Sequence, residues 1–136
     1  MIRFVLMALL TIGLFTSCSR KVADQNWAEG KWVLTELKEV PVQISGHFDK
    51  DAHLEFRPSS RSYGGYGGCN RIAGTYTLNG NKIKFTPSAA KLAGCPDVPF
   101  ETTFLSLLNE VDKYEINGNA MTLMDGGKRV IKLERK

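Results

Sequence analysis

The sequence predicts a small domain built mainly of β-strands, with one helix packed on the concave face of the sheet. Three observations lead to that prediction. From Trp27 onward, apolar and polar residues mostly alternate with period two, as in half-buried strands. Two Asn-Gly pairs, at 79–80 and 117–118, each separate two alternating runs, which is the pattern of a β-hairpin. The segment from Phe100 to Val111 has helical spacing instead.

The predicted strands follow from these alternating runs. They are 32–37, 54–56, 76–78, 81–85, 114–116, 119–123 and 129–133. The Asn-Gly pairs predict type I′ turns, because both central residues of that turn need positive φ. The two hairpins share one pattern, which either a duplicated unit or convergence on good hairpin chemistry explains. Asp125-Gly126-Gly127 predicts a further tight turn before the last strand.

The helix is predicted from an apolar stripe. Its members recur at helical intervals and are Phe100, Phe104, Leu107, Leu108 and Val111. Asp97 and Pro99 suit a helix start, and Glu101 places a carboxylate in the first turn, where the helix dipole favours it. We expect the stripe to be part of the core, since an exposed apolar face is costly for so small a domain.

A glycine-rich run precedes the first hairpin, from Ser62 to Asn70. It lacks the Gly-Lys-Ser/Thr ending of a phosphate-binding loop and the spacing of a dinucleotide loop. Glycines in a β-context more often mark a bulge, a bend or close backbone approach. The aromatic rings of Tyr63 and Tyr66 could face a partner, and packing in the core is the alternative.

The N-terminus has the layout of a secretory signal. A short basic start is followed by an apolar run from Phe4 to Leu10 and by small residues. The segment ends at Cys18, which predicts a lipoprotein signal over residues 1–17 and an acyl-carrying Cys18. Ordinary cleavage after Ser19 is the alternative, because Ser17 and Ser19 are also small residues at the required places. Acyl chains on Cys18 would anchor the protein to a membrane, with residues 18–26 as the tether.

Charge and cysteine content limit the partners and the chemistry. The formal net charge is +4 and the charges are scattered, so no clustered basic face for nucleic acid is predicted. If Cys18 is acylated, Cys69 and Cys95 remain as a pair, and export to an oxidising compartment would permit a bridge between them. Two buried free thiols are the alternative. Neither cysteine is in a C-x-x-C pair, so no zinc site is predicted.

One segment raises the possibility of a metal site. His47, Asp49, Asp51 and His53 alternate, so in a strand they would share one face and neighbouring pairs could bind a metal ion. The run is about 20 Å long in extended form, so all four cannot reach one ion without a turn. A polar solvent face is the simpler interpretation, and we predict no metal and no cofactor.

The residues together resemble the META domain family, which includes the heat-inducible envelope lipoprotein HslJ. The most specific part of the match is Gly65-x-x-Gly68-Cys69-Asn70-x-x-x-Gly74-x-Tyr76. Further matching features are Trp32-x-Leu34, Leu54-x-Phe56, Ile83-x-Phe85, Ala93-x-Cys95, Glu101-x-x-Phe104, Met121-x-Leu123 and Ile131-x-Leu133. The resemblance covers almost the whole mature chain and places the META domain at residues 27–134.

The resemblance implies a fold and a function. The fold would be a small α+β domain, a curled antiparallel sheet (a meander or half-barrel) with one helix packed against it. META domains have no established reaction, so we expect a non-enzymatic envelope lipoprotein that binds a partner or supports stress resistance. Ser19 after the cysteine, where Asp would suggest inner-membrane retention, favours the outer membrane facing the periplasm. A small-molecule or metal-binding periplasmic module is the alternative function.

The resemblance also implies structural roles for the motif residues. These are Gly68, Asn70, Gly74, Tyr76 and Glu101. Asn70 would fix the turn after Cys69 through its side chain and its tolerance of left-handed backbone. Glu101 would cap its own helix or pair with a loop cation, because a catalytic acid would need a partner that the sequence does not supply.

Overall fold

The structure is a computed structural model, and it describes residues 25–42, 51–88 and 99–136. The predicted signal (1–17), the predicted acylation site Cys18 and most of the predicted tether therefore lie outside the described residues. Cys95 and the His47–Asp49 part of the proposed metal segment also lie outside them.

Nine strands and one α-helix make up the described chain. In chain order they are β1 (Lys31–Leu37), β2 (Val40–Pro41), β3 (His53–Arg57), β4 (Ser62–Tyr66), β5 (Arg71–Asn79), β6 (Lys82–Pro87), α1 (Pro99–Glu110), β7 (Lys113–Asn117), β8 (Ala120–Asp125) and β9 (Lys128–Arg135). Two short 3₁₀ helices lie at Gln25–Ala28 and Pro58–Ser60. The predicted helix and strands are confirmed within a few residues. The sequence did not predict β4, whose glycines hide the alternation.

The sheet closes into a barrel, so the predicted α+β half-barrel is wrong. Neighbouring strands from β3 to β9 pair in chain order, β1 pairs with β3, and β9 pairs back with β1. Strand β2 only extends one edge of β1. The closing pair matches Trp32 with Arg135, near opposite ends of the described chain, and local sequence patterns carry no signal for such a contact. Each of the eight wall strands thus has a partner on both sides, although β6 and β7 pair only at Lys82 and Lys113.

The interior of the barrel is filled by apolar side chains. Along each strand every second residue faces inward, so the alternation predicted from sequence becomes the core. Fully or almost fully buried residues include Leu34, Leu54, Phe56, Tyr76, Ile83, Phe85, Met121, Leu123, Ile131 and Leu133. The centre of the barrel is therefore a packed core.

The α-helix covers one end of the barrel. It contacts β1, β6 and β9, which belong to different sides of the wall. Phe104, Leu107, Leu108 and Val111 are at most 2% exposed, so the predicted apolar stripe is core. We call this the helix end; the turns from β1 to β2, β4 to β5 and β8 to β9 lie there. No helix among the described residues is long and apolar enough to cross a bilayer.

Trp27 fills the opposite end, which we call the tryptophan end. Its ring lies 5.0 Å from the ring of Phe56 and 5.3 Å from that of Tyr114. The indole nitrogen of Trp32 donates a hydrogen bond of 2.8 Å to the backbone oxygen of Trp27, which fixes the first 3₁₀ helix over the barrel. The β5–β6 and β7–β8 hairpin turns belong to this end.

The two Asn-Gly hairpins use a different turn from the predicted one. The central residues are Gly-Asn, not Asn-Gly, because Asn79 pairs with Lys82 in the strand register. Gly80 has φ +61° and Gly118 has φ +59°, and each is followed by an asparagine without positive φ. That combination matches type II′, so the type I′ prediction is wrong although the hairpins are right.

Two other hairpin turns have positive φ at both central residues. Gly126 and Gly127 have φ +52° and +82°, which glycine adopts without strain. Lys38 and Glu39 have φ +48° and +64° in the β1–β2 turn. Side chains with a Cβ adopt this region at a cost, so the β1–β2 turn is strained.

Candidate functional site

The clearest polar site joins α1 to the loop between β4 and β5. Glu101 is the one charged side chain among the described residues that is buried, with 6% exposure. Its Oε2 accepts hydrogen bonds of 2.7 Å from the backbone N–H groups of Cys69 and Asn70. Its Oε1 accepts another from Nδ2 of Asn70. Both carboxylate oxygens thus accept hydrogen bonds from the loop. Among the described residues, neither oxygen caps α1 and neither forms an ion pair with a cation.

Local sequence explains why this contact forms. Glu101 stands in the first turn of α1, where the positive end of the helix dipole stabilises a carboxylate. The loop turns tightly from Gly67 to Asn70, closed by a 2.8 Å hydrogen bond from the N–H of Gly67 to the oxygen of Asn70. Its successive N–H groups point at Glu101 and form an anion-binding concavity.

Gly67 is a part of this site that the sequence analysis did not single out. A Cβ at this position would lie 2.7 Å from Oε2 of Glu101, so a side chain would push the carboxylate away. Its place between Gly65 and Gly68 in the matched motif was the available signal. Asn70 acts through its side chain, as the resemblance implies, but it is not among the described residues with positive φ.

The other motif residues serve the barrel wall and core. A Cβ on Gly74 would lie 2.4 Å from the backbone oxygen of Thr86 and 2.7 Å from the ring of Tyr63, so β5 and β6 can approach only without one. The ring of Tyr76 packs edge-on against Phe56, with centroids 5.4 Å apart. The motif therefore splits into a loop part, held by Glu101, and a barrel part.

The two tyrosines of the glycine-rich run lie in different environments. Tyr63 is 2% exposed, and its ring packs edge-on against Phe85 at 5.3 Å. Burial raises the pKa of Tyr63 to about 12. Packing in the core, the alternative considered for this ring, is what the structure shows for Tyr63. Tyr66 is half-buried at the end of β4, directly before the Glu101-bound loop.

The described part of the candidate metal segment is engaged in local contacts. Nδ1 of His53 lies 2.6 Å from the backbone oxygen of Asp51, and its Nε2 lies 3.6 Å from Oε1 of Glu55. Among the described residues no three His, Cys, Asp or Glu side chains come together as a metal site would require. His47 and Asp49 lie outside the described residues.

Cys69 belongs to the Glu101-bound loop and is half-buried. It has interaction partners in the structure and is not a free group. Cys95 lies outside the described residues, so the pairing of Cys69 with Cys95 stays a prediction.

Solved structures share this fold. An NMR structure of a protein from Burkholderia xenovorans has a TM-score of 0.64 at 22% identity, covering 82% of this chain and 85% of that chain. The crystal structure of a DUF4847 family protein from Bacteroides vulgatus ATCC 8482 has a TM-score of 0.63 at 15% identity, covering 82% and 96%. A further NMR structure has a TM-score of 0.60 at 19% identity, covering 78% and 88%. At these identities the likeness concerns the fold alone.

Sequence comparison gives the family. No curated protein matches the chain. The family model of the META domain matches residues 25–136, which include all nine strands, the helix and the Glu101-bound loop. On this match, which covers most of the chain, the protein belongs to the META domain family.

Proposed function

We propose that this protein is a lipid-anchored member of the META family that acts in the bacterial cell envelope by binding a partner. In this proposal it catalyses no reaction, and it supports the integrity of the envelope under stress. The domain stands at the outer membrane, facing the periplasm, and Cys18 carries the acyl chains.

The proposal is supported by the hydrogen bonds that the Glu101 carboxylate accepts. A buried carboxylate with a free oxygen could serve as a general acid or base. Here both oxygens accept hydrogen bonds from Cys69 and Asn70, so the charge holds the partly buried loop of Gly67 to Asn70 in one shape. A loop whose shape is fixed before binding loses little entropy when a partner docks. This geometry supports recognition better than proton transfer.

The surface proposed to bind the partner is the β4–β5 loop and its flanks. Half-buried Tyr66 precedes the loop and exposed Arg71 follows it. Tyrosine and arginine are enriched where proteins bind one another, because each combines apolar contact area with hydrogen bonding.

Support for the anchor comes from the sequence. The apolar segment before Cys18 is too short to span a bilayer, which needs about 20 residues, but it suits an export signal. A mass spectrum of the N-terminal peptide from membranes tests the anchor directly. We expect a diacylated or triacylated Cys18; an unmodified peptide that begins at Arg20 would overturn the lipid anchor.

Photo-crosslinking in intact cells tests the partner. A photoreactive amino acid replaces Arg71 beside the loop, and Thr77, exposed on the same strand, serves as the control position. We expect a discrete crosslinked product from position 71 that position 77 does not give. The Cys18→Ala chain distinguishes recognition from tethering, since a specific partner is captured without the anchor, though less efficiently. Identical products from both positions would contradict a binding surface at the loop.

The metal-binding alternative has its own test. Replacing His47 and His53 together with alanine should leave the envelope phenotype of the wild type unchanged. A loss equal to that of gene deletion, with the fold intact by circular dichroism, would favour the metal-binding module over the partner-binding protein.

A further inference from the structure

The tryptophan end of the barrel carries a second concave site. A cavity of about 270 Å³ opens there, and its lining residues are Trp27, Ala28, Pro58, Arg61, Tyr76, Leu78, Gly80 and Tyr114. We call it the mouth cavity. The mouths of β-barrels are frequent sites for small ligands, and this volume lies just below the usual range of about 300–1,000 Å³.

The walls of the mouth cavity are aromatic. The ring of Trp27 lies 5.3 Å from that of Tyr114 and 6.3 Å from that of Tyr76. All three side chains are at least nine-tenths buried, so their rings are held in place by the core. Rigid aromatic walls favour a planar or short apolar body.

The polar side chains that line the cavity suit an anion. Arg61 is exposed and makes no ion pair with any described residue, and no described residue that lines the cavity is acidic. Burial raises the pKa of Tyr76, and the positive charge of Arg61 acts on it in the opposite direction. Burial also raises the pKa of Tyr114. Both hydroxyls therefore stay protonated at neutral pH; that of Tyr114 donates to the backbone oxygen of Gly80 at 3.4 Å, which leaves the hydroxyl of Tyr76 to donate to a ligand.

The backbone of Arg61 gives independent support. Its φ is +50°, a region that glycine or asparagine adopts far more easily. The strain is held by a 3.3 Å bond from its N–H to Pro58 and a 2.9 Å bond from the N–H of Tyr76 to its oxygen. This left-handed residue is the C-cap of the Pro58–Ser60 helix, so the backbone holds the Arg61 side chain beside the cavity.

We infer that the mouth cavity binds a small organic anion, a phosphate or carboxylate on an aromatic or short aliphatic body. Arg61 pairs with the anionic group, the hydroxyl of Tyr76 donates to it, and the ring of Trp27 packs on the body. The anion is either a free metabolite-sized molecule or the headgroup of a lipid. The second source rests on the proposed anchor, because residues 19–24 span at most about 20 Å and would keep this end near the membrane.

Calorimetric titration tests the site on the full mature chain in a non-ionic detergent. Phenyl phosphate and benzoate are the anionic probes, and phenol is the neutral probe with the same ring. We expect saturable binding of an anionic probe and at least tenfold weaker binding of phenol. No saturable binding of either anion would overturn the inference.

Two variants separate binding from stability. Arg61→Asn removes the charge but suits the positive φ, so we expect at least tenfold weaker anion binding with an unchanged or higher melting temperature. Lys38→Asn is the matched control, because it also removes one positive charge at a strained position, but at the helix end. Its affinity should stay within twofold of wild type. Equal losses in both variants, or full affinity in Arg61→Asn, would contradict the site.

Vesicle sedimentation of the Cys18→Ala chain identifies the source of the anion. Sedimentation with phosphatidylglycerol vesicles but not with phosphatidylcholine vesicles, reversed by phenyl phosphate, assigns the site to a lipid headgroup. Binding of the soluble probe without sedimentation assigns it to a free anion. If adding Arg61→Asn to the Cys18→Ala chain leaves its sedimentation unchanged, the mouth cavity is not the site that binds the vesicles. These outcomes are independent of crosslinking at the β4–β5 loop, so either proposal can fail alone.

Discussion

Replacing Glu101 with glutamine tests the central contact between helix and loop. The wild-type carboxylate accepts three hydrogen bonds, two of them at 2.7 Å from the backbone of Cys69 and Asn70. Glutamine keeps the size and one acceptor oxygen but removes the charge. A hydrogen bond to a charged group contributes about 1.5–3 kcal/mol and one to a neutral group about 0.5–1.5 kcal/mol, so each of the two loses about 1 kcal/mol.

We therefore expect Glu101→Gln to lower the free energy of unfolding by about 2 kcal/mol. Glu101→Ala leaves the three donors without an acceptor and should cost about 4 kcal/mol. Urea unfolding followed by circular dichroism measures both. Glu110→Gln is the matched control, since this exposed glutamate ends the same helix, and a surface change of this kind stays within about 0.5 kcal/mol.

Hydrogen exchange gives a local readout of the same contact. The amides of Cys69 and Asn70 should exchange at least tenfold faster in Glu101→Gln than in wild type, while amides of β8 change only with global stability. If Glu101→Gln matches Glu110→Gln in stability and leaves these amides protected, the carboxylate does not hold the loop and the reasoning fails.

Four further perturbations test the barrel. Gly65→Ala should prevent folding or cost more than about 3 kcal/mol, because its Cβ would lie 2.0 Å from a backbone oxygen of β3. Gly80 has φ +61° and open space around a Cβ, so Gly80→Ala should cost only about 1 kcal/mol in the same urea assay. Changing Lys38-Glu39 to Asn-Gly should raise stability by about 1–2 kcal/mol, and a lower melting temperature would contradict turn strain. Since the pKa of Tyr63 is raised to about 12, its contribution to stability is complete below pH 10 and is lost as pH rises towards 12; Tyr63→Phe should flatten that loss in pH-dependent melting curves.

Sequence predicted the elements well where the signal is local. The apolar stripe of α1 recurs within 12 residues, and each hairpin is specified by a turn and its two flanks. The turn type was not predictable, because the sequence Asn-Gly-Asn allows either Asn-Gly or Gly-Asn as the two central residues. Only the strand register decides between them. Barrel closure could not be predicted from local patterns, because residues in contact across β1 and β9 are far apart in sequence. Thr35 and Lys132, for example, are 97 positions apart.

The candidate site was only partly predictable. The resemblance identified Glu101 and Asn70 separately, but their contact bridges 31 positions and the sequence does not show it. The aromatic run around Tyr63 gave no sign of which ring faces inward, because glycines interrupt the alternation that would decide it. Arg61 was missed altogether, since only the fold makes its positive φ and its place at the mouth cavity visible.

The pairing of β1 with β9 also governs when the fold can be completed. The ribosome makes β1 first among the described strands and β9 last, so a nascent chain cannot close its wall until β9 has emerged. Contacts between such distant segments slow folding, because the loop between them must be ordered first. The wall of a nascent chain therefore stays open while strands β3 to β8 are being made.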